Sequence, residues 1–274
     1  MTAGRAEINL PELDETRRAF DSVAADYDGP RGNNELIQDM RAEMWRWLDA
    51  TFVPGSHLMD IGCGTGLDAL RMARCGYHIT ATDWSPEMVR RTEERTKREG
   101  GMVRTMTMGA HELHRLNGEA MYDGAYSNLG PLNCVPDLTA FSREIARLLK
   151  PGGALVFTVI GRVCPWEFIH HARRGRWARA RIRQSSGFVP VGMNGQTIWA
   201  RYYSPGDFYR HFQQEFALSC CRGICVLVPP PYLSGFRDRN PRLYRWLWRL
   251  DRRVSAWPGL RAMGDHFLMV MKKR

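Results

Sequence analysis

Residues 58–69 read LMDIGCGTGLDA. Leu58, Met59 and Ile61 predict a short buried strand. Gly62, Gly64 and Gly66 follow it, and a helix over Leu67 to Arg74 comes next. A strand, a glycine turn and a helix in that order bring a ligand against bare backbone, because no Cβ stands in the way. The turn alone is a weak signal, since nicotinamide- and flavin-binding folds use glycines at the same place.

Outward from this turn, strands alternate with helices. Tyr77 to Thr82 predicts a second strand, ending in Asp83. Ser85-Pro86-Glu87 is a helix start, with Ser85 as N-cap and Pro86 at the first helical position; that helix runs to about Arg98. Met102 to Met108 and Tyr122 to Ser127 read as the third and fourth strands. Asp137 caps a helix with Leu138, Phe141, Ile145, Leu148 and Leu149 on one face, stopped by Lys150-Pro151-Gly152-Gly153. Ala154 to Ile160 is a nearly continuous apolar run, as in a central parallel strand. Phe216 to Val228 and His266 to Lys272 supply two more strands. The spacing predicts an α/β fold, a doubly wound, seven-stranded, mostly parallel sheet with helices on both faces. Upstream, residues 11–29 read as helical as far as Asp28-Gly29-Pro30. Glu35 to Ala50 place Leu36, Met40, Met44, Trp47 and Leu48 at helical spacing.

Two stretches break the alternation, residues 161–205 and 229–262, and both are expected near the C-terminal ends of the strands, where open α/β folds bind ligands. The expected organisation is therefore lid helices over 1–50, a core over 51–160 and an α/β cap over 161–205 after the fifth strand. The core resumes over 206–228, a helical insertion separates strands six and seven over 229–262, and the last strand lies in 263–274.

Two details separate the ligand readings of the turn. A dinucleotide site wants Gly or Ala three residues after Gly64, and Leu67 stands there. Asp60 precedes the first glycine by two residues. A carboxylate aimed into the turn repels a pyrophosphate and suits a ligand carrying an ammonium and a sulfonium charge. MDIGCGTG resembles the first motif of class I, Rossmann-like S-adenosylmethionine-dependent methyltransferases. ITATDWSPEM is similar to the family's second-strand motif, YDGAYSN to its fourth, LLKPGGALVF to its fifth-strand entry, and FDSVAADYD to its lid; together they span residues 20–160 in order.

The resemblance implies S-adenosyl-L-methionine as cofactor and S-adenosyl-L-homocysteine as product, and it assigns positions. Asp60 and the turn Gly62-Cys63-Gly64-Thr65-Gly66 would seat the methionine part. Asp83 would take both ribose hydroxyls, since an ionised carboxylate accepts two hydrogen bonds from a vicinal diol. Trp84, Met88 and Ala110 would flank adenine, and Tyr27 would close over the cofactor. Asn128 and Leu129, at the exit of the fourth strand, belong to the same neighbourhood. There is one departure: Gly109 stands where the family often has an acid, and His111 is the candidate to replace its polar contact, against the alternative of a solvated loop histidine.

The acceptor is harder to read. Methyl transfer is a displacement in which holding the acceptor in line does most of the work, so a general base is optional. Candidates for it are His170 and His171, near Trp166 and Glu167, and Asn133; the competing readings are structural or solvated histidines and Asx-turn roles. Asn128-Leu129-Gly130-Pro131 lacks the Pro-Pro-Tyr motif of amino-methylating relatives. The Pro229 to Tyr232 run follows the sixth strand and reads as a rigid turn. No metal site is expected: the seven cysteines are scattered, and Cys220, Cys221 and Cys225 have no second half or nearby His pair.

The 274 residues are 44% hydrophobic and 25% charged, with formal net charge +10. No apolar run approaches the roughly 18 residues of a bilayer span, and no apolar leader is read at the start, so a cytoplasmic compartment is expected. The charge is mostly arginine and unevenly placed. Pro165 to about Gln184 predicts one basic helix, and VGMNGQTIWARYY a hairpin turning at Asn194-Gly195; the resemblance makes this segment the roof of the acceptor pocket. PRLYRWLWRLDRRVSAW predicts a helix with Leu243, Trp246, Leu247, Leu250 and Val254 on one face. That helix either packs on the domain with its arginines in solvent, lies on an anionic membrane surface, or grips RNA phosphates, in that order of preference. The sequence thus points to methyl transfer onto oxygen, nitrogen or carbon of a small-molecule acceptor, a metabolite, natural product or lipid- or quinone-like compound. An RNA-modifying enzyme and a non-catalytic cofactor-binding protein are the alternatives. Oligomeric state is not read.

Overall fold

The computed structural model describes residues 8–30, 32–233 and 235–274; the first seven residues of the expected lid lie outside them. α1 (Leu10–Val23) opens with a reciprocal cap in which Asn9 Oδ1 accepts from Glu12 N and Glu12 accepts from Asn9 N, both at 3.0 Å. It ends earlier than expected, at Val23. Asp28 is drawn to Thr65 Oγ1 (2.8 Å) and to Arg95, and this pulls residues 24–30 off the helix and across the end of the sheet. α2 (Glu35–Thr51) is capped by Asn34, which accepts from Ile37 N.

Then come β1 (His57–Ile61), α3 (Leu67–Arg74), β2 (His78–Asp83), α4 (Pro86–Glu99), β3 (Val103–Thr107), β4 (Tyr122–Ser127), α5 (Leu138–Leu148) and β5 (Leu149–Ile160). The Ser85 and Asp137 caps form as expected, Ser85 Oγ accepting from Met88 N and Asp137 Oδ1 from Thr139 N and Ala140 N. Residues 161–205 hold α6 (Pro165–Ala172), α7 (Trp177–Ala180) and the hairpin β6 (Val189–Met193) and β7 (Gln196–Ala200). α8 (Pro205–Arg210), β8 (Phe216–Ile224), α9 (Gly235–Arg239), α10 (Pro241–Val254) and β9 (His266–Lys273) complete the chain.

The sheet has seven strands in the order β3-β2-β1-β4-β5-β9-β8; β1 to β5 are parallel, and β9 runs antiparallel to both β5 and β8. Chain order reverses between β1 and β4, which opens a crevice at their C-terminal ends. Side chains alternate between faces. Met59, Ile61, Leu155 and Phe157 pack with α5 and α8. Leu58, Tyr126 and Val156 pack on the other face with α2, α3 and Tyr244 of α10.

Three expectations are corrected. The basic helix over 165–184 breaks, because Gly175 takes φ +68° and Arg183 turns inward to bond Gly161 O, Asp265 O and the carboxylates of Asp265 and Glu167. β8 stops at Ile224 instead of Val228. Cys225 has φ +56°, and the buried Asp251 carboxylate takes Val226 N (2.8 Å) and Leu227 N (2.5 Å) out of the sheet. On α10 the packed face is Tyr244, Asp251 and Val254, while Leu243 and Trp246 point outward. The Asn194-Gly195 turn is as read, with both residues at positive φ, 48° and 80°.

Candidate active site at the switch between β1 and β4

A cavity of about 270 Å³ lies over the C-terminal ends of β1, β2 and β4. Its floor is the glycine turn. Gly62 N and Cys63 N donate to Thr82 O at 2.8 and 2.9 Å and tie the turn to the end of β2. The three glycines do different work. A Cβ on Gly62 would stand 2.3 Å from Pro131, and one on Gly66 2.6 Å from Thr92, so both positions are fixed by packing. At Gly64, with φ +55°, an added Cβ would meet only the Tyr27 ring at 3.8 Å. Gly64 is where bare backbone faces the cavity.

Asp83 stands beside it. Its Oδ2 accepts from Gly64 N and its Oδ1 from Ser85 N, both at 2.9 Å, so each oxygen keeps lone-pair capacity for one more donor. Burial pushes its pKa up to about 6, against the pull of the Ser85 and Gly64 N–H groups. Trp84 and His111 meet edge-on with centroids 4.7 Å apart. A Cβ on Gly109 would lie 2.4 Å from His111 Cε1, so the imidazole occupies the space that an acid at 109 would need. Burial holds His111 below the usual histidine range. Met88, Ala110, Cys63, Thr65, Asn128 and Leu129 also line the wall. Asn128 is spent on the protein: its Nδ2 donates to Asp68 Oδ2 and its Oδ1 accepts from Thr158 Oγ1.

Asp60 does not reach the wall, a departure from the sequence reading. It shares the β1 face of Leu58, not that of Ile61, and is 2% exposed beneath the turn. Its carboxyl and the Tyr126 hydroxyl are buried against one another. Burial, and then the neighbouring Asp68, push its carboxyl well above the usual range.

The reading also missed Arg41 and Asp68, which line the cavity as a buried ion pair, with Trp45 Nε1 donating to Asp68 Oδ1 at 2.7 Å. Arg41 Nε has no partner. One signal was available: Arg41 falls inside the apolar stripe of α2, between Met40 and Met44, where an arginine needs a buried counterpart.

The roof comes from α1 and the hairpin. Thr16 Oγ1 accepts from Trp199 N (3.0 Å) and Glu15 Oε2 from Trp199 Nε1 (2.9 Å), which fastens β7 to the helix. Beneath this junction the wall is apolar: Leu13, Phe20, Val135, Ile160, Met193 and Ile198. Asp21 latches α1 to the start of α4 by accepting from Ser85 Oγ at 2.5 Å. Arg17 is held by Asp14 and Asp21 at 2.7 Å each.

The catalytic candidates are not brought together. Asn133 reaches the wall, but its Nδ2 donates to Ile160 O and Arg201 O and its Oδ1 accepts from Ile160 N; it binds the end of β5 to the cap exit. His170 and His171 lie on α6 outside the cavity, with His170 against Arg174 and Tyr232. Cys134 lines the cavity, and burial pushes its thiol up to about 12.

Residues 58–153 match the model of a family described as a methyltransferase domain. Among curated proteins, the chain is similar to the ubiquinone biosynthesis O-methyltransferase of Xanthomonas axonopodis pv. citri, 33% identical over 138 residues, which is 50% of this chain and 56% of that one. The Xanthomonas euvesicatoria protein of the same description is 31% identical over 141 residues, with the same shares. The chain spans a little over half the length of these relatives. Among solved structures it resembles the Burkholderia thailandensis 1,6-didemethyltoxoflavin-N1-methyltransferase with bound 1,6-didemethyltoxoflavin and S-adenosylhomocysteine (TM-score 0.59, 18% identity, 99% of this chain and 93% of that one). It also resembles a putative S-adenosylmethionine-dependent methyltransferase from Listeria monocytogenes (TM-score 0.59, 14% identity, 86% and 99%). At these identities the structural likeness establishes the fold.

Proposed function

We propose that the chain, whose residues 58–153 match a family described as a methyltransferase domain, transfers the methyl group of S-adenosylmethionine to a small acceptor with an apolar, lipid- or quinone-like body. The observation that carries the reading is the pairing of Asp83, with acceptor capacity left on both oxygens, and the bare backbone of Gly64. The residues fit the cofactor in three further respects. Trp84 and His111 offer an aromatic corner for a purine. Arg41, a buried cation with an unpartnered Nε in the wall, suits the carboxylate of the methionine part. Asp68 and Asp83 against the single Arg41 leave the floor short of positive charge, which suits an ammonium and a sulfonium.

When bound, the cofactor supplies an electrophilic methyl on a sulfonium. The chain's part is orientation: Asp83 holds the diol, Arg41 the carboxylate, and Leu13, Phe20, Met193 and Ile198 exclude water and hold the acceptor from above. Among the described residues lining the acceptor half, no side chain is set to take a proton. Cys134 stays a thiol, Asn133 is fully bonded, and Arg17 is paired with acids. The reading therefore calls for an acceptor that brings its own readily ionised group, such as a ring hydroxyl or an enol. The O-methyltransferase description of the Xanthomonas relatives supports oxygen as the methylated atom.

The test is calorimetry with S-adenosylmethionine and with NAD, followed by transfer of labelled methyl to a panel of phenols with and without alkyl tails. Binding of S-adenosylmethionine alone and transfer favouring the tailed phenols is the expected result. Binding without transfer to any acceptor would move the chain to a non-catalytic role. Failure to bind, with a normal melting transition, would defeat the reading.

A further inference from the structure

The positive charge of this chain is segregated. Residues 161–205 and 229–262 hold sixteen arginines, no lysine and three acids, whereas the rest of the chain holds twenty-three lysines and arginines against twenty-six acids. In the core the arginines are largely partnered, as in Arg71 with Asp49, Arg90 with Glu87 and Glu94, and Arg147 with Glu144. In the insertions, Arg173, Arg176, Arg179, Arg242, Arg245 and Arg249 are exposed and make no ion pair among the described residues.

The two insertions, far apart in sequence, meet in space. The Trp166 ring lies 5.9 Å from that of Phe236, His170 lies 6.3 Å from Tyr232, and the Tyr232 hydroxyl donates to Glu167 Oε2 at 2.8 Å. α6 thus borders α9 and the turn before it, and α9 in turn packs on α10. Bulky apolar side chains stand outward among the arginines: Trp177 is 54% exposed, Leu243 46% and Trp246 59%. At 3.6 residues per turn, α10 has an apolar arc wider than its contact with the domain. Tyr244, Asp251 and Val254 fill the contact, Arg245 and Arg249 lie opposite, and Leu243 and Trp246 occupy the border between them.

We propose that this joined face docks on an anionic lipid surface, with Trp177, Leu243 and Trp246 at head-group depth and the unpaired arginines among the lipid phosphates. The charge is complementary to such a surface, and arginine beside outward tryptophan is the composition of interfacial helices. The exposed aliphatic Leu243 and Ile169 favour lipid over nucleic acid, since a base stacks on an aromatic ring and gains little from a leucine. The proposal does not depend on the identity of the acceptor. No helix among the described residues is long and apolar enough to cross a membrane, so the contact is with one leaflet.

Co-sedimentation of the full chain with phosphatidylcholine vesicles, with and without phosphatidylglycerol, tests this. Binding is expected only where phosphatidylglycerol is present, weakening as salt rises. The Arg245→Glu/Arg249→Glu double variant should bind such vesicles at least tenfold more weakly, since each arginine near the surface contributes roughly fivefold. Trp246→Ala should lose several-fold. Arg143→Glu on α5, an exposed arginine without an ion pair in the core, is the control that leaves binding unchanged. These residues lie outside the cavity, so calorimetric binding of S-adenosylmethionine reports that each variant is folded and keeps this test separate from that of the cofactor. No preference for phosphatidylglycerol, an equal loss in Arg143→Glu, or single-stranded RNA binding that outlasts vesicle binding as salt rises would each overturn the proposal.

Discussion

The floor and the roof of the cavity are built on different physics. The floor is polar and over-determined. Gly62, Cys63 and Gly64 are hydrogen-bonded to β2 and Asp83, and Asp68 takes bonds from Arg41, Trp45 and Asn128 at once. The roof is a set of apolar side chains on two elements that meet through Trp199, joined to the floor by the Asp21 and Asp28 side chains and, just past β7, by Arg201 N donating to Asn133 O. A floor made this way fixes one ligand in one pose, because buried polar groups tolerate only a matching partner. A roof of Leu13, Phe20, Met193 and Ile198 selects by shape and apolar area, and is correspondingly permissive.

The difference gives a ranked set of expectations. Arg41→Met leaves the buried Asp68 carboxylate without its cation, and urea unfolding should register a loss of about 3–5 kcal/mol; a loss below 1 kcal/mol would mean that the pair is solvated and the floor less fixed than described. On the proposed reading, Asp83→Ala would remove two charge-assisted bonds to the ribose, roughly 3 kcal/mol, so calorimetry should find cofactor affinity down more than a hundredfold, with Asp83→Asn in between. Protonation should do the same reversibly. As pH falls through about 6 the free protein's Asp83 takes up a proton, and cofactor affinity should drop by up to about tenfold per unit below that point. Without ligand the sign is reversed. Its raised pKa means the folded chain binds this proton more tightly than the unfolded one, so the group adds stability below about pH 4 and that contribution is lost as pH rises through 6.

Changes in the roof should read differently. Ile198→Ala should raise KM for an apolar acceptor about fivefold, near 1 kcal/mol of lost apolar contact, with cofactor affinity unchanged. If both move together, floor and roof are one site and the contrast fails. The smallest effect is expected at α6, where His170→Ala and His171→Ala should each alter kcat less than twofold across pH 6 to 9, since neither ring reaches the cavity. A larger drop would return a histidine base to the mechanism.

Much of the floor was legible in the chain because its determinants are local. The Gly62-Gly64-Gly66 turn, the Asp83 that ends β2 and the Ser85 cap two residues on are each set by neighbours within a few positions. Asp60 was misjudged for want of a direction: the two-residue period of β1 assigns it to the Leu58 face, away from the cavity. Arg41 and Asp68 meet across 27 residues, and no local pattern announces that encounter. The Asn194-Gly195 turn was plain, but that its hairpin would settle on α1, with Trp199 against Thr16 across 183 residues, was not.

By itself the sequence determined the alternation of strands and helices, the glycine turn, the caps and the carboxylate at the end of β2, because periodicity and turn chemistry act over a few residues. Tertiary structure alone decided which face of α10 is buried, where the basic helix breaks at Gly175, which histidines stay clear of the cavity, and what forms the roof. Those outcomes depend on which distant surfaces compete to exclude water and to satisfy buried charge, as when Arg183 abandons its helix for Asp265 and Glu167, and that competition is resolved only when the whole chain is packed.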